Sequence, residues 1–318
     1  MKTPAPKSAY LGWLSRALAR PVTPRPAQAP DDLVLGYATG YDAAMIAPFV
    51  RSLRAVFHGH VALVVDDRPD VLDLLATHGI EAVHPEPVTG WEPHPVVSRF
   101  AAYARVIERY PDAADVLVTD VRDVVFQGEP FGPPPRRLEV FVENEDGRLG
   151  DHAFNMKYMT ALVGREMAAT LADRPCICVG TVMGPRDEVA RFCRLLLMLA
   201  AIPRSGIGGA FGVDQAACNL AVHMDLIRAQ VQPNFRRIAT IGMTPGDRLS
   251  FVDGKVVNPD GSVSPVVHQH DRHPHLAGPL HALWGRDMRV CDRVQPKSAG
   301  ERGRRLRQSL MRRLPELR

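Results

Sequence analysis

The sequence lacks any run of about 18 consecutive apolar residues, the length that a membrane-spanning helix requires. Its first twenty residues also lack the continuous apolar core of a secretory signal peptide. We therefore expect no transmembrane helix and predict a cytoplasmic location. With 318 residues and a hydrophobic content of 46%, the chain is long enough for one large α/β domain or two smaller ones.

Cysteine is scarce, and no two cysteines form a C-x-x-C pair. An odd number without regular spacing is typical of reduced thiols in a cytosol rather than of a disulfide framework. A pair separated by one residue could bind a metal ion, but its apolar surroundings favour two residues of a buried strand. That pair is Cys176 and Cys178, and the others are Cys193, Cys218 and Cys291.

Positive charge is concentrated at the two ends of the chain. Residues 1–30 carry a net charge of +5 and read as a short amphipathic helix followed by a Pro-rich linker. Residues 296–318 carry +6, with apolar and arginine side chains on opposite faces of a predicted helix at 302–314. Because the whole chain is +4, the part between them carries −7. The tail could bind an anionic membrane surface, or it is a solvated basic segment. The negative charge of the middle of the chain argues against nucleic acid binding.

Strand and helix patterns alternate from residue 31 onwards, although G-x-G-x-x-G and P-loop fingerprints are absent. The order predicts an α/β domain over 31–295, with an open, twisted, mostly parallel sheet flanked by helices. The predicted strands lie at 33–39, 60–67, 80–85 and 115–119, and the helices between them at 42–57, 69–79 and 96–109.

The second half is less regular. We expect a strand at 138–146 and a second at 176–184 that breaks at its glycines. A helix at 187–201 follows, then a glycine-rich loop that enters a helix within 208–224. The last element is a hairpin at 249–267, with its turn at the sequence NPDG.

Charged residues follow the buried strand in the stretch VLVTDVRDVVFQ, residues 116–127. Asp120 and Asp123 lie at the carboxyl end of this strand, where ligands bind in open α/β sheets. Two nearby carboxylates suit a hard cation, Mg²⁺ or Mn²⁺. Equally, they could form an ion-pair cluster with Arg122 that caps the strand, and the spacing does not decide between the two.

An apolar strand that ends in a D-x-D-like triplet resembles the GT-A fold glycosyltransferases, and TDVRDVVFQ followed by Pro130-Phe131 resembles a bacterial group of that fold. The resemblance implies a GT-A-like domain, a nucleotide-diphosphate sugar, and a metal ion on the diphosphate. It also implies that LGYATGYD holds the nucleoside through Tyr37, Thr39 and Tyr41. A basic residue at the position of Arg99 contacts the nucleotide in such enzymes; otherwise Arg99 is a solvated helix residue.

The stretch GVDQAACN, residues 212–219, resembles the D-Q-x-x-x-N pattern of retaining glycosyltransferases of the family 8 group. That resemblance implies that Asp214 and Gln215 lie near the reacting sugar carbon and the acceptor. In a purely structural interpretation, Asp214 is a helix N-cap and Asn219 lies on the helix surface.

The histidine-rich stretch VVHQHDRHPHL, residues 266–276, allows three interpretations. It is a polar surface loop, or it resembles the H-x-H-x-D-H motif of metallo-β-lactamase-fold hydrolases. Under the transferase resemblance, His268 completes the metal site with Asp120 and Asp123, while Arg272 binds the diphosphate together with Arg122.

The resemblance implies a Mn²⁺- or Mg²⁺-dependent glycosyltransferase acting on a nucleotide-diphosphate sugar, with a UDP-sugar favoured. Its acceptor would be a glycan or a lipid-linked molecule, as in bacterial surface polysaccharide synthesis at the inner face of the membrane. The alternatives are a non-catalytic nucleotide-sugar-binding protein and a metal-dependent hydrolase built on the histidines.

Overall fold

A central sheet organises the structure, a computed structural model that describes residues 6–19, 31–86, 94–201 and 212–285. Numbered along the chain, the strands of these residues are β1 (Asp31–Tyr37), β2 (His60–Val64), β3 (Glu81–Val83), β4 (Ala113–Thr119), β5 (Val124–Phe126), β6 (Glu139–Val142), β7 (Ile177–Pro185), β8 (Gln230–Gln232), β9 (Ile238–Thr240), β10 (Ser250–Val252), β11 (Lys255–Val257) and β12 (Val266–His268). The helices of the same residues are α1 (Pro6–Leu18), α2 (Ala43–Val56), α3 (Pro69–Thr77), α4 (Pro95–Glu108), α5 (Ala153–Val163), α6 (Arg165–Thr170), α7 (Arg186–Ala201), α8 (Val213–His223) and α9 (Pro274–Trp284).

The central sheet has seven strands in the order β3-β2-β1-β4-β7-β6-β8. The first four are parallel to one another, whereas β7 is antiparallel to both β4 and β6, and β6 and β8 are parallel. Helices cover both faces, so the strands in the middle are continuously apolar rather than alternating. The predicted α/β class with a mostly parallel sheet is confirmed.

The helices of the first half begin and end at residues that the local sequence marks. The Asp42 side chain accepts a hydrogen bond of 2.9 Å from the backbone N–H of Met45 and so caps α2. Proline occupies the first position of both α3 and α4, where its missing N–H costs no hydrogen bond. Gly79 ends the turn after α3 with a φ of +61°, which favours glycine. These local signals explain why the predicted helices are present.

The prediction that the strand at 176–184 breaks at its glycines is wrong, because β7 continues through both of them. Its irregularity is a shift of register opposite Val140 and Phe141 of β6. A Cβ atom at Gly180 would lie 2.6 Å from an Asp120 oxygen and 2.8 Å from a ring nitrogen of His268. The glycine therefore leaves room for two side chains that approach the strand.

The predicted hairpin is present, but its turn was misplaced. The strands β10 and β11 are joined by Asp253 and Gly254, with φ angles of +50° and +78°. Such a two-residue Asp-Gly loop has the left-handed backbone that tight hairpins require. Residues 258–261, the NPDG sequence, form a separate turn after β11 that closes with a hydrogen bond from Gly261 N–H to the Asn258 carbonyl.

A second sheet brings the end of the chain to the site. It has the order β5-β12-β9, with β12 antiparallel to β5 and parallel to β9. The register places His268 opposite Val124, the residue directly after Asp123. Residues separated by 144 positions in sequence are thereby neighbours.

The predicted N-terminal helix is present as α1, which packs against α4 and α7. Its Trp13 is buried in the main hydrophobic core, at 1% exposure. Within the described ranges, none of the helices combines the length and apolarity that crossing a membrane requires. The Pro-rich linker and the basic tail at 296–318 lie outside the described residues, and their interpretation stays a prediction.

We expect Trp13→Ala to lower the free energy of unfolding by about 3 kcal/mol, because it removes a large side chain from a closed core. Leu11→Ala is the control on the same helix, since Leu11 is 61% exposed and should change stability little. Urea denaturation measures both. Equal effects of the two substitutions would show that α1 does not pack through Trp13.

Because of the buried Asp115 on β4, we expect the free energy of unfolding to depend on pH. Burial and the nearby Asp32 carboxylate raise its pKa to about 6, and its exposure is only 8%. A carboxyl group with a raised folded-state pKa favours the folded state at low pH and loses this advantage as the pH rises through that pKa.

We expect Asp115→Asn to match the wild type near pH 4 and to be more stable by about 1–3 kcal/mol at pH 8. The asparagine does not titrate, so it avoids the cost of the buried charge. Urea titrations between pH 4 and pH 8 measure the difference, and a constant difference over this range would contradict the assignment.

Candidate metal and ligand site

A pocket of about 580 Å³ opens where β1 and β4 end. Its walls contain nearly all the residues that the sequence singled out: Tyr37, Tyr41, Arg99, Asp120, Arg122, Asp123, Asp214, Gln215, His268 and Arg272. The exception is Thr39, which lies in the turn after β1, outside the lining residues. The pocket thus combines residues from five separate stretches of the sequence.

Three side chains converge in the way that a cation site requires. Asp120, Asp123 and His268 each offer a ligand atom, and these atoms all lie within 4.8 Å of one another. His268 Nε2 is 3.4 Å from Asp120 Oδ2 and 3.9 Å from Asp123 Oδ2. Backbone hydrogen bonds hold the segments together, from Asp120 N–H to the Gly180 carbonyl and from Gln269 N–H to the Asp123 carbonyl.

Arg99 lies between two of the carboxylates rather than on the surface. Its guanidinium donates to Asp120 Oδ1 through Nη1 and to Asp214 Oδ2 through Nη2, the latter at 2.6 Å. The side chain is buried, so the interpretation as a solvated helix residue is wrong. These contacts orient Asp120 with its other oxygen, Oδ2, towards His268.

The electrostatics of the three candidate ligands differ. Burial would raise the pKa of Asp120, but Arg99 and His268 outweigh it and hold that pKa at about 2. Burial, together with the Asp120 carboxylate, raises the pKa of Asp123. Two carboxylates in one small space repel each other, and a divalent cation between them would relieve this repulsion.

His268 responds to the same negative charges. Burial alone would lower its pKa, but the Cys178 sulfur and the two carboxylates outweigh burial and raise the pKa well above its usual value. Among the described residues, the buried Nε2 atom forms no hydrogen bond. A buried ring nitrogen that faces two carboxylates without a hydrogen bond fits a metal ligand, and a cation that binds there would displace its proton.

The D-Q-x-x-x-N residues are placed by α8. The helix begins after Gly212, not after Asp214, and Asp214 lies in its first turn without capping it. Gln215 donates a hydrogen bond of 2.6 Å to Glu143 Oε2. Asn219 is fully buried, and its amide bonds both the N–H and the carbonyl of Ile177. The N-cap and helix-surface interpretations are therefore wrong, and Asn219 fixes α8 to β7.

Two arginines besides Arg99 line the pocket. Arg122 pairs with Asp271 at 2.7 Å. Arg272 is exposed and lines the pocket, and within the described part of the chain it has no salt-bridge partner. It passes closely over Gly242, where a Cβ atom would lie 2.7 Å from Arg272 Cδ. Arg272 is thus the arginine that can accept an anionic ligand without first breaking an ion pair.

The other histidines of VVHQHDRHPHL do not join His268. His273 donates through Nε2 to the Ile241 carbonyl at 2.7 Å. His270 is buried, and neither of its ring nitrogens has a partner among the described residues. Over the same residues, the stretch contributes only His268 to a group of potential metal ligands. The geometry therefore does not favour a hydrolase-type histidine cluster.

Sequence reasoning missed Glu143, Gln269 and His152, which also line the pocket. Glu143 follows the apolar strand β6 directly, which is the same signal that identified Asp120 at the end of β4. Gln269 donates to Glu143 at 3.4 Å and adopts a left-handed φ of +65°. The sequence around His152 has no pattern that indicates a site, and only the fold brings this residue to the pocket.

Comparisons with protein-family models and with curated proteins give no match for this chain. The chemistry of the pocket therefore carries the functional argument. Two carboxylates and an imidazole form a donor set that suits Mn²⁺ or Mg²⁺, and Gly180 leaves them room. The residues that are present thus fit the metal that the sequence predicted.

We expect Asp123→Asn to weaken Mn²⁺ binding by roughly 10- to 100-fold or more, because it removes one charged ligand of three. Asp73→Asn on the exposed face of α3 is the matched control, since it removes the same charge outside the pocket. Calorimetric titration with MnCl₂ measures both. Unchanged affinity in Asp123→Asn would remove this residue from the metal site.

Proposed function

We propose that this protein is a metal-dependent glycosyltransferase of the GT-A type, which moves a sugar from a nucleotide-diphosphate donor to a glycan or a lipid-linked acceptor. The observation that carries the proposal is the convergence of Asp120, Asp123 and His268 beside Asp214 and Gln215 in one pocket. These residues come from the ends of two strands and the start of a helix. The transferase resemblance predicts this grouping, whereas the interpretation of residues 266–276 as a polar surface loop does not.

The donor would bind across the edge of the central sheet. Tyr37 and Tyr41 line the pocket next to the end of β1 and would contact the nucleoside, with Thr39 in the turn between them. Arg272 would bind the diphosphate, because a guanidinium can form two parallel hydrogen bonds to phosphate oxygens. Arg122 would join it by exchanging Asp271 for the ligand. We favour a UDP-sugar as the donor.

Asp120, Asp123 and His268 would hold a Mn²⁺ or Mg²⁺ ion, which supplies positive charge to the diphosphate as it leaves. Arg272 adds a fixed charge on the same group. Arg99 has a different task from the predicted one, since its guanidinium holds Asp120 and Asp214 in place. Because both of its Nη atoms are bonded to these carboxylates, Arg99 would position Asp120 and Asp214 rather than bind the nucleotide.

Asp214 and Gln215 are the candidates for the transfer step. Both line the pocket, and each is held by a partner outside α8, Arg99 for Asp214 and Glu143 for Gln215. Side chains fixed in this way can orient an acceptor hydroxyl or stabilise positive charge on the sugar without reorganising. Retention of the anomeric configuration is proposed from the D-Q-x-x-x-N resemblance alone.

The proposed place of action is the cytoplasmic face of an anionic membrane, where bacterial surface polysaccharides are built. The basic tail at 296–318 would provide peripheral contact through its arginines and apolar side chains. A nucleic acid ligand is not proposed, because the charge of the middle of the chain is negative.

Nucleotide binding tests the proposal most directly. We expect UDP to bind more tightly than GDP, only with Mn²⁺ present, and with at least about tenfold lower affinity in Asp123→Asn and Arg272→Ala. Calorimetry with both nucleotides, with and without Mn²⁺, measures these affinities, and Asp73→Asn is again the control. Absence of binding by either nucleotide with metal present would overturn the proposal.

Turnover separates an enzyme from a binding protein. We expect Gln215→Ala to slow release of UDP from UDP-sugars by roughly 100-fold while nucleotide binding is kept, because the side chain acts on the sugar side of the site. Gln230→Ala is the control, since Gln230 is exposed on the edge strand β8. Tight binding without release from any donor in the wild type would instead support a non-catalytic nucleotide-sugar-binding protein.

A further inference from the structure

We propose that Glu143, His152 and Cys176 form a second cation site, separate from the first, which selects a softer ion of the zinc class. Their potential ligand atoms all lie within 4.8 Å of one another. A thiolate, an imidazole and a carboxylate together are a typical zinc donor set, in contrast to the oxygen-rich set of the first site. The proposal goes beyond the transferase function and does not depend on it.

Three separate segments build this site. Glu143 follows β6, Cys176 precedes β7, and a backbone hydrogen bond of 2.8 Å from Glu143 N–H to the Cys176 carbonyl joins the two. His152 lies between a short 3₁₀ turn at Leu149–Asp151 and α5. Gly147 borders its ring, where a Cβ atom would lie only 3.0 Å from His152 Nε2.

The separation of the sulfur and carboxylate ligand atoms suits a tetrahedral ion. Cys176 Sγ lies 3.4 Å from Glu143 Oε2. With zinc–sulfur and zinc–oxygen bonds of about 2.3 and 2.1 Å, two ligand atoms at a tetrahedral angle are separated by about 3.6 Å. The sulfur and the oxygen are therefore already close to the spacing that a shared ion requires.

Amide groups surround the ligands as the outer layer of a metal site does. Gln215 donates to Glu143 Oε2 at 2.6 Å and Gln269 donates to Oε1 at 3.4 Å. Asn155 donates to the Cys176 sulfur at 3.0 Å. Hydrogen bonds of this kind orient a carboxylate and stabilise negative charge on sulfur. They also connect the site to Gln215, a residue of the proposed transfer step.

An ion has a route to the site, because Glu143, His152 and Asn155 all line the pocket. The Cys176 thiol donates a hydrogen bond to Glu143 Oε2. As the metal–sulfur bond forms, this proton would pass to the solvent through the pocket. If no ion binds, the contact is simply a buried thiol–carboxylate hydrogen bond, and the experiment below distinguishes the two.

Cobalt absorption tests the proposal, because Co²⁺ replaces zinc and shows a thiolate-to-metal charge-transfer band only when sulfur is a ligand. We expect the full chain, with Mg²⁺ in excess to occupy the first site, to develop this band with about one equivalent of Co²⁺, and added Zn²⁺ to remove it. Cys176→Ser should abolish the band. Cys178→Ser is the matched control and should keep it, although Cys178 lies two residues away and 3.6 Å from His268.

His152→Ala provides a second variant in case Cys176→Ser fails to fold. It should keep the band but weaken Co²⁺ binding by at least about tenfold. Asp123→Asn should retain full binding, which separates this site from the first. The proposal is overturned if the wild type shows no band, or if the band survives Cys176→Ser and disappears in Cys178→Ser.

Discussion

A buried guanidinium between two carboxylates is the constraint on which the site depends. Arg99 bridges Asp120, at the end of β4, and Asp214, in the first turn of α8. A charge away from water is stable only when it is paired, and removing one partner of a buried pair is strongly destabilising. The end of β4 and the N-terminal parts of α4 and α8 are therefore held together.

This arrangement also gathers several carboxyl groups in the pocket. Asp120 and Asp214 pair with Arg99, whereas burial together with the Asp120 carboxylate raises the pKa of the nearby Asp123. A cation would balance the charge that Arg99 does not. Glu143 and His152 line the same pocket, and their potential ligand atoms lie within 4.8 Å of that of the buried Cys176.

Much of the fold could be predicted because its signals are local. The apolar strand that ends at Asp120, the Asp42 cap and the prolines at two helix starts each involve a few neighbouring residues. The errors came where a local pattern had two explanations. Glycine in a strand pattern indicates a break, whereas Gly180 gives space to side chains from elsewhere in the chain. The hairpin loop is the Asp253-Gly254 turn and not the NPDG sequence.

The sequence by itself determined the alternation of strands and helices and the residue types that a metal and a diphosphate need. Periodicity and residue chemistry are properties of short segments, so they can be read without a structure. Only the tertiary structure decided that His268 lies opposite Val124, that Arg99 pairs with Asp120 and Asp214, and that Glu143 lines the pocket. These facts depend on strand register and on contacts between distant segments, which the packing of the whole core sets and no short stretch encodes.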